Sequence, residues 1–539
     1  MVPTLRSNSR KLKGQFFTRE AVAEFMLDAV RPQASWRVID PACGNGVFLK
    51  GALQRGCAEV WGVDSDPNLL EDAERNCGRD TRLHLLHADG LTCEDADPAL
   101  AHGSFDLVVG NPPYSAGLGR ITDRQLMARF QLAKGALATG AGVPAEVLFL
   151  EQFVRLAKRD GLIAVVVPDG ILANTRHTCP RAYITACTRL IAVVALPRAA
   201  FKGTGTTART AILLMQRLPE RPCPGAEPCP PQAPPLMADL SQLGANGMPA
   251  LEDGLAAVAR ALRGEEPSPP SGCVIFRAGD GYAEGFSAPE AIKRLDPWYW
   301  RPEHGTWLNT LSGGDGKGYR LLRLSELITR ISYGPVVTGP PPERYDGCDA
   351  VLRIGQAQLA HCGVNFATAT PIAPGSKWDS GRARAHKGDI LMARSGEGGI
   401  GAGKMAIVGS SPMGVDLVVD SFVDVITVGR VEPASILAFL KGRYGQGQIR
   451  RLMNGVGTPN LSFREIGELQ VPELPDRLQT ECGLACEMAS SRLAMALASP
   501  PGRYRDRQMA LATQAMEYAI RRVERYIESC AADGPPKRT

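Results

Sequence analysis

The stretch Phe105-Asp106-Leu107-Val108-Val109-Gly110-Asn111-Pro112-Pro113-Tyr114 decides how this chain is read. Phe105 to Val109 has the composition of a buried strand. Gly110 ends it, and Pro112 and Pro113, with fixed φ and no N–H, cannot extend the hydrogen-bond ladder. The chain leaves the strand end as a stiff loop carrying an amide acceptor at Asn111, a carbonyl at Pro112 and an aromatic face at Tyr114. Two acceptors beside a flat ring suit a planar group bearing an exocyclic NH2.

Working outward, the same strand-to-turn pattern recurs upstream. Trp36 to Asp40 is a short apolar strand closed by an acid, followed by Pro41-Ala42-Cys43-Gly44-Asn45-Gly46 and a helix from Val47. Strands at 59–63 and 83–88 run into Asp64 and Asp89, and helical segments separate them. This βαβα alternation predicts an α/β, Rossmann-like, doubly wound and mostly parallel sheet. Such sheets bind ligands at the carboxyl ends of their strands, where Asp40, Asp64, Asp89 and Asn111 all fall. The turn lacks the third glycine of a dinucleotide site, and a carboxylate at Asp40 would repel a pyrophosphate. It favours a cationic ligand such as the ammonium and sulfonium of S-adenosylmethionine, with Asp64 placed for ribose hydroxyls and Asp89 for an adenine amine.

Flanking segments extend this unit in both directions. Residues 14–31 predict a turn and an amphipathic helix with Thr18 as N-cap and Val22, Phe25, Met26 and Val30 in its apolar stripe. Downstream, a helix over 147–158 precedes a β-branched strand at 162–167. Two further strands, 190–196 and 208–215, place Phe201 at the mouth of a hairpin. Proline-rich breaks follow at 217–235 and 264–272, with an edge strand expected near 236–243. The aromatic cluster in 289–303 predicts a connector packed between domains.

From about 319 the texture changes to short apolar strands and glycine-rich turns, as in GDILMARSG (388–396), GKMAIVG (403–409) and SFVDVITVG (421–429). Helices are expected at 433–444 and 463–469, and one long amphipathic helix at 503–530. Arg382, Arg384, Lys387, Arg394, Lys404, Arg450 and Arg451 make this region basic and are candidate phosphate contacts. The expected domains are 1–265, a connector 266–318, a second domain 319–475 and a helical segment 476–539. The whole chain of 539 residues carries a net charge of +5, and its 14 cysteines form no CxxC pair. Reduced thiols, no metal site, no membrane segment and a cytoplasmic location are expected.

Taken together, GQFFT (14–18), DPACGNG (40–46), VWGVDSD (60–66), HADG (87–90), NPPY (111–114), FLEQ (149–152) and VVVPDGIL (165–172) resemble the gamma class of amino-directed DNA methyltransferases over roughly residues 12–260. The resemblance implies transfer of a methyl group from S-adenosylmethionine to the N6 amine of an adenine flipped out of double-stranded DNA. It assigns Asn111, Pro112, Pro113 and Tyr114 to catalysis and Tyr114 and Phe201 to stacking on the base. It assigns the cofactor to Phe17, Thr18, Asp40, Ala42, Gly44, Gly46, Asp64, Asp89, Gly90, Asn111 and Phe149. LSELITRISYG (324–334), GDILMARSG, GKMAIV and GVGTPNLSFREIGELQVPELP (455–475) resemble one target-recognition domain of type I restriction specificity subunits. A restriction-modification role follows, with a separate endonuclease or a second copy of the chain as partner, since no nuclease element is expected here. Transfer to cytosine N4, a protein-glutamine methyltransferase and a non-catalytic DNA-binding specificity module are the competing assignments.

Overall fold

The computed structural model describes residues 18–115, 119–201, 209–219, 233–244, 249–394, 403–411, 414–453 and 460–533. The chain divides into two compact units, Met1–Pro302 and Glu303–Thr539.

The first unit is built on a sheet of nine strands among the described residues: β1 (Arg37–Asp40), β2 (Glu59–Asp64), β3 (Leu83–His87), β4 (Phe105–Gly110), β5 (Ala157–Pro168), β6 (Thr188–Ala195), β7 (Thr210–Arg217), β8 (Leu236–Asp239) and β9 (Val274–Arg277). Their order is β9-β8-β6-β7-β5-β4-β1-β2-β3. β3, β2, β1, β4 and β5 are parallel, as the alternation predicts, while β7 runs antiparallel to both its neighbours and β9 antiparallel to β8. Helices α1 (Glu20–Val30), α2 (Val47–Gln54), α3 (Pro67–Cys77), α4 (Ala145–Leu156), α5 (Thr178–Cys187) and α6 (Leu251–Leu262) accompany the sheet. α1, α2 and α6 share one apolar layer with Val38, Leu107 and Val109. Ile39 and Val108, one residue out of phase, are fully buried on the other side. That double burial is why these strands read as continuous apolar runs.

Several expectations change. Thr18 does not cap α1, which starts at Glu20 behind Arg19 with no side-chain cap. Leu236–Asp239 is not an edge strand, because Val274–Arg277 pairs outside it. The segment expected to be a connector, 266–318, therefore belongs to the first unit as far as Pro302. Buried Arg181 donates to the carbonyls of Ile292 and Lys293 at 2.7 and 2.8 Å, and Arg301 pairs with buried Asp239 at 2.7 Å. The aromatic cluster packs on itself, with the Trp300 ring 5.0 to 5.7 Å from those of Phe286, Tyr282 and Tyr299.

In the second unit, strands Ile328–Tyr333, Val423–Val428, Ile390–Ala393 and Met405–Ile407 form one sheet in that order. Thr370–Ile372, Val351–Ile354, Leu417–Val419 and Arg384–Ala385 form another. Arg320–Arg323 pairs antiparallel with Gln470–Glu473, which joins the two ends of the expected second domain. The helix expected over 433–444 divides at Gly442 into α7 (Pro433–Lys441) and α8 (Arg443–Leu452). The C-terminal segment holds two helices where one was expected, α9 (Asp476–Ala498) and α10 (Arg503–Asp533), separated at Ser499-Pro500-Pro501-Gly502. Leu478, Cys482, Ala489 and Leu493 of α9 share a core with Met516, Ala519 and Val523 of α10. No helix among the described residues is long and apolar enough to cross a membrane.

Candidate active site

A cavity of about 480 Å³ opens at the carboxyl ends of β1 to β4. Its wall brings together Ala42 and Gly44 after β1, Asp64 at the end of β2, Asp89 and Gly90 after β3, Asn111 and Pro113 after β4, and Phe149 of α4. Four crossovers deliver these residues to one place because parallel strands end on the same edge.

Close backbone packing shapes the floor. A Cβ on Gly90 would fall 1.8 Å from the Pro41 carbonyl oxygen, and one on Gly110 would fall 2.5 Å from Asp40 Oδ1. Gly46 starts α2 at φ +78°, and a Cβ there would lie 2.9 Å from Ala73 Cβ. Glycine is required at these approaches for space and, at Gly46, for the left-handed backbone.

The acids differ in what they do. Asp64 accepts the backbone N–H groups of Gly44 and Asp66, both at 2.9 Å, so it ties the glycine turn to β2. Burial pushes its carboxyl above the ordinary value, and those N–H groups oppose the rise. Asp89 accepts from Leu91 N at 2.9 Å. Asp40 is not on the cavity wall. It is 1 % exposed and its Oδ1 accepts from Ala42 N at 3.0 Å, so it stands behind the turn and holds its shape. Burial pushes the Asp40 carboxyl up to about 8; the Ala42 N–H opposes the rise and the neighbouring Asp64 adds to it. Gly46 likewise supports the wall from behind, and Phe17 lies outside the described residues.

Asn111 is held at both ends of its amide. Nδ2 donates to Thr18 Oγ1 at 3.0 Å, and Oδ1 accepts from the Tyr114 hydroxyl at 2.7 Å. The predicted helix cap is thus a partner of the loop, across 93 residues of sequence. Glu146 of α4 accepts from both Ser115 N and Ser115 Oγ, anchoring the loop beyond Tyr114. The two candidate stacking rings do not present open faces. Tyr114 is 4 % exposed, with its phenol pushed well above the usual range by burial and by Glu146. Phe201 is 2 % exposed in the apolar layer that holds α1 and α6. Stacking on Phe201 would require its short helical turn, Arg198–Phe201, to open.

The cavity also uses residues that the sequence left unmarked: Asp66, Leu69, Leu91, Arg120, Ile121 and Ala145. Asp66 had a signal, since Asp-Pro opens α3 and its side chain accepts from Asn68 N. Arg120 and Ile121 had none; they reach the site on a two-stranded ribbon with Val143–Pro144.

In the second unit the candidate basic residues separate. Arg384 is held by Asp379 and Asp416 at 2.8 and 2.7 Å, and Lys387 lies 3.6 Å from Glu487. The Arg394 guanidinium lies over the Tyr333 ring at 4.0 Å, and that of Arg382 over the same ring at 5.7 Å. Lys404 follows a turn at Gly403, and Arg450 and Arg451 stand in the last turn of α8. Among the described residues no cluster of His, Cys, Asp and Glu could hold a metal ion.

The sheet and the strand-end cavity define a Rossmann-like α/β unit with a small-molecule-sized site at the carboxyl ends of its parallel strands. Residues 2–224 match the model of the N-6 DNA methylase family. The methylase subunit of the type I restriction enzyme EcoEI of Escherichia coli is 24 % identical over 203 residues, covering 35 % of this chain and 39 % of that protein. The release factor glutamine methyltransferase of Caulobacter vibrioides is 29 % identical over 155 residues, covering 28 % of this chain and 50 % of that protein. The chain thus spans half or less of the length of these curated relatives. Among solved structures, the type IIG restriction endonuclease BpuSI aligns with 97 % of this chain and 66 % of its own, at 13 % identity and a TM-score of 0.42.

Proposed function

We propose that the chain is a site-specific DNA methyltransferase acting on the N6 amine of adenine within a restriction-modification system. The observation that carries this is the Asn111-Pro112-Pro113-Tyr114 loop at the rim of a cavity whose wall carries Asp64 and Asp89. The cavity suits S-adenosylmethionine: its volume is that of a small-molecule site, it offers carboxylates at two strand ends, and Phe149 gives it an aromatic face. Ala42, Gly44, Asp64, Asp89, Gly90 and Phe149 would hold the cofactor, which supplies a methyl group on a positively charged sulfur.

The amine of adenine is a poor nucleophile because its lone pair is delocalised into the ring. The base must also leave the duplex to be reached, at a cost of a few kcal/mol. Asn111 Oδ1 and the Pro112 carbonyl accept the two amine hydrogens. Accepting them favours a tetrahedral nitrogen whose lone pair would take the methyl carbon as the carbon–sulfur bond breaks to leave a neutral thioether, and the surplus amine proton would pass to solvent. An amide oxygen has two lone pairs, so Oδ1 serves the amine while keeping the Tyr114 hydroxyl. Thr18 fixes the amide by taking the Nδ2 hydrogen. Tyr114 supplies the stacking face once the base enters. Catalysis is positioning plus fixed dipoles, with no covalent enzyme intermediate.

Incubating the protein with labelled S-adenosylmethionine and duplex DNA, then hydrolysing the DNA to nucleosides, tests this. Label is expected on N6 of deoxyadenosine, and Asn111→Ala should abolish it while cofactor binding persists. Label on cytosine N4, or in protein and not in DNA, would overturn the assignment.

A further inference from the structure

Arg394 stands at the end of strand Ile390–Ala393, where two segments distant in sequence converge. Its N–H donates to the Phe422 carbonyl at 2.9 Å, and its own carbonyl accepts from Leu461 N at 3.3 Å. The guanidinium is held over two rings, 4.0 Å from the centroid of Tyr333 and 5.2 Å from that of Phe463. Beneath it, Asp424 sits in mid-sheet, in register with Tyr333 on one side and Met392 on the other. Asp424 is fully buried, both its carboxylate oxygens and Arg394 Nε lack hydrogen bonds among the described residues, and Arg394 Nε is 3.7 Å from Asp424 Oδ1. A buried acid with neither oxygen satisfied is costly and is not what packing alone would select. The cation of Arg394 lies 3.7 Å above it and opposes the upward push of burial on its carboxyl.

Beside this arginine the surface is not a solvated charged face. Phe422, at the turn leading into strand Val423–Val428, is 55 % exposed, a large apolar ring open to solvent. The Arg394 side chain keeps 23 % of its surface exposed although its Nε is buried, so it reaches outward while anchored at its inner end.

Phosphate contacts need only a mobile cation, as a solvated lysine provides. An arginine resting on two touching rings, with a buried acid 3.7 Å from its Nε, has lost much of that freedom and gained a restricted orientation of its fork. Fixed forks discriminate base edges: guanine offers N7 and O6 side by side in the major groove, and an arginine meets both at once. Resting on the DNA-modifying function proposed above, we infer that Arg394 reads a guanine in the target sequence, with Asp424, Tyr333 and Phe463 as its positioning residues and Phe422 as an apolar neighbour against the adjacent base. Arg384, paired to two carboxylates, takes no such part.

The test is the methylated motif, read by sequencing DNA from a host expressing wild-type protein, Arg394→Ala, Arg394→Lys or Arg384→Ala, together with the salt dependence of binding to the wild-type motif. With Arg394→Ala and Arg394→Lys, one guanine position should become degenerate while the others persist. Affinity for the motif should fall about 5- to 150-fold, with the slope of log K against log salt retained. Arg394→Lys keeps the charge and most of the packing, and thermal melts of each variant separate misfolding from lost recognition. Arg384→Ala should leave the motif intact. Affinity reduced equally on all sequences, with a slope smaller by about one, would make Arg394 a phosphate contact and overturn the inference. So would an unchanged motif in folded Arg394→Lys. No methylation of DNA by the wild-type protein would instead overturn the function on which the inference rests.

Discussion

Asp40→Asn separates the charge of the buried acid from its shape. Asn keeps an oxygen that can accept from Ala42 N, so the turn should persist. The wild-type carboxyl is pushed up to about 8 from 3.8, chiefly by burial. Between those values the folded chain holds a proton that the unfolded chain has released. Stability therefore falls as pH rises across this window, at up to about 1.4 kcal/mol per pH unit. The contribution is fully present below about pH 3.8 and is lost progressively up to about pH 8. From pH 6 to pH 8 the wild-type protein should lose about 2 kcal/mol relative to Asp40→Asn, whose amide does not titrate. The difference between the two proteins removes the contribution of every other titrating group that does not touch Asp40. The assay is urea unfolding of both at half-unit pH intervals from 5.5 to 8.5, followed by far-UV circular dichroism. A difference that stays flat across that range would show Asp40 ionised in the folded protein at neutral pH and would refute the burial argument.

Further substitutions probe the site and its supports. Gly90→Ala should weaken S-adenosylmethionine binding at least about tenfold by calorimetry, because its Cβ would meet the Pro41 carbonyl and the Phe149 ring and neither can yield without deforming the wall. Thr18→Val should lower turnover about tenfold with little change in cofactor affinity, since Asn111 loses the acceptor for its Nδ2; equal turnover would remove Thr18 from the positioning network. Arg181→Met should destabilise the first unit by about 3 kcal/mol in urea unfolding, because the carbonyls of Ile171, Asn174, Ile292 and Lys293 lose a shared buried donor.

Much of the first unit was legible from local pattern. Four apolar runs, each closed by a polar residue and a turn, could form only strands, and right-handed crossovers between parallel strands bring their carboxyl ends together. That is why Asp64, Asp89 and Asn111 are legible as a group in the sequence and line one cavity in the fold. The second unit was legible only as a texture of short strands, because its strands are two to six residues long and most pair across large gaps in sequence.

By itself, then, the sequence determined the parallel sheet, the strand-end cluster and the stiff loop from Asn111 to Tyr114, all properties set within a few residues of one another. Tertiary structure alone decided which of those residues face the cavity. It moved Asp40 behind the wall, put Phe201 into the core, turned Thr18 from a helix cap into the partner of Asn111, and made residues 274–277 the edge of the sheet. It also separated Arg384, neutralised by two acids, from Arg394, oriented by two rings and a buried carboxylate. The physical reason is common to all of these. Burial, pairing and orientation depend on partners tens of residues away, and a charged or aromatic residue carries no local mark of the partner it will meet.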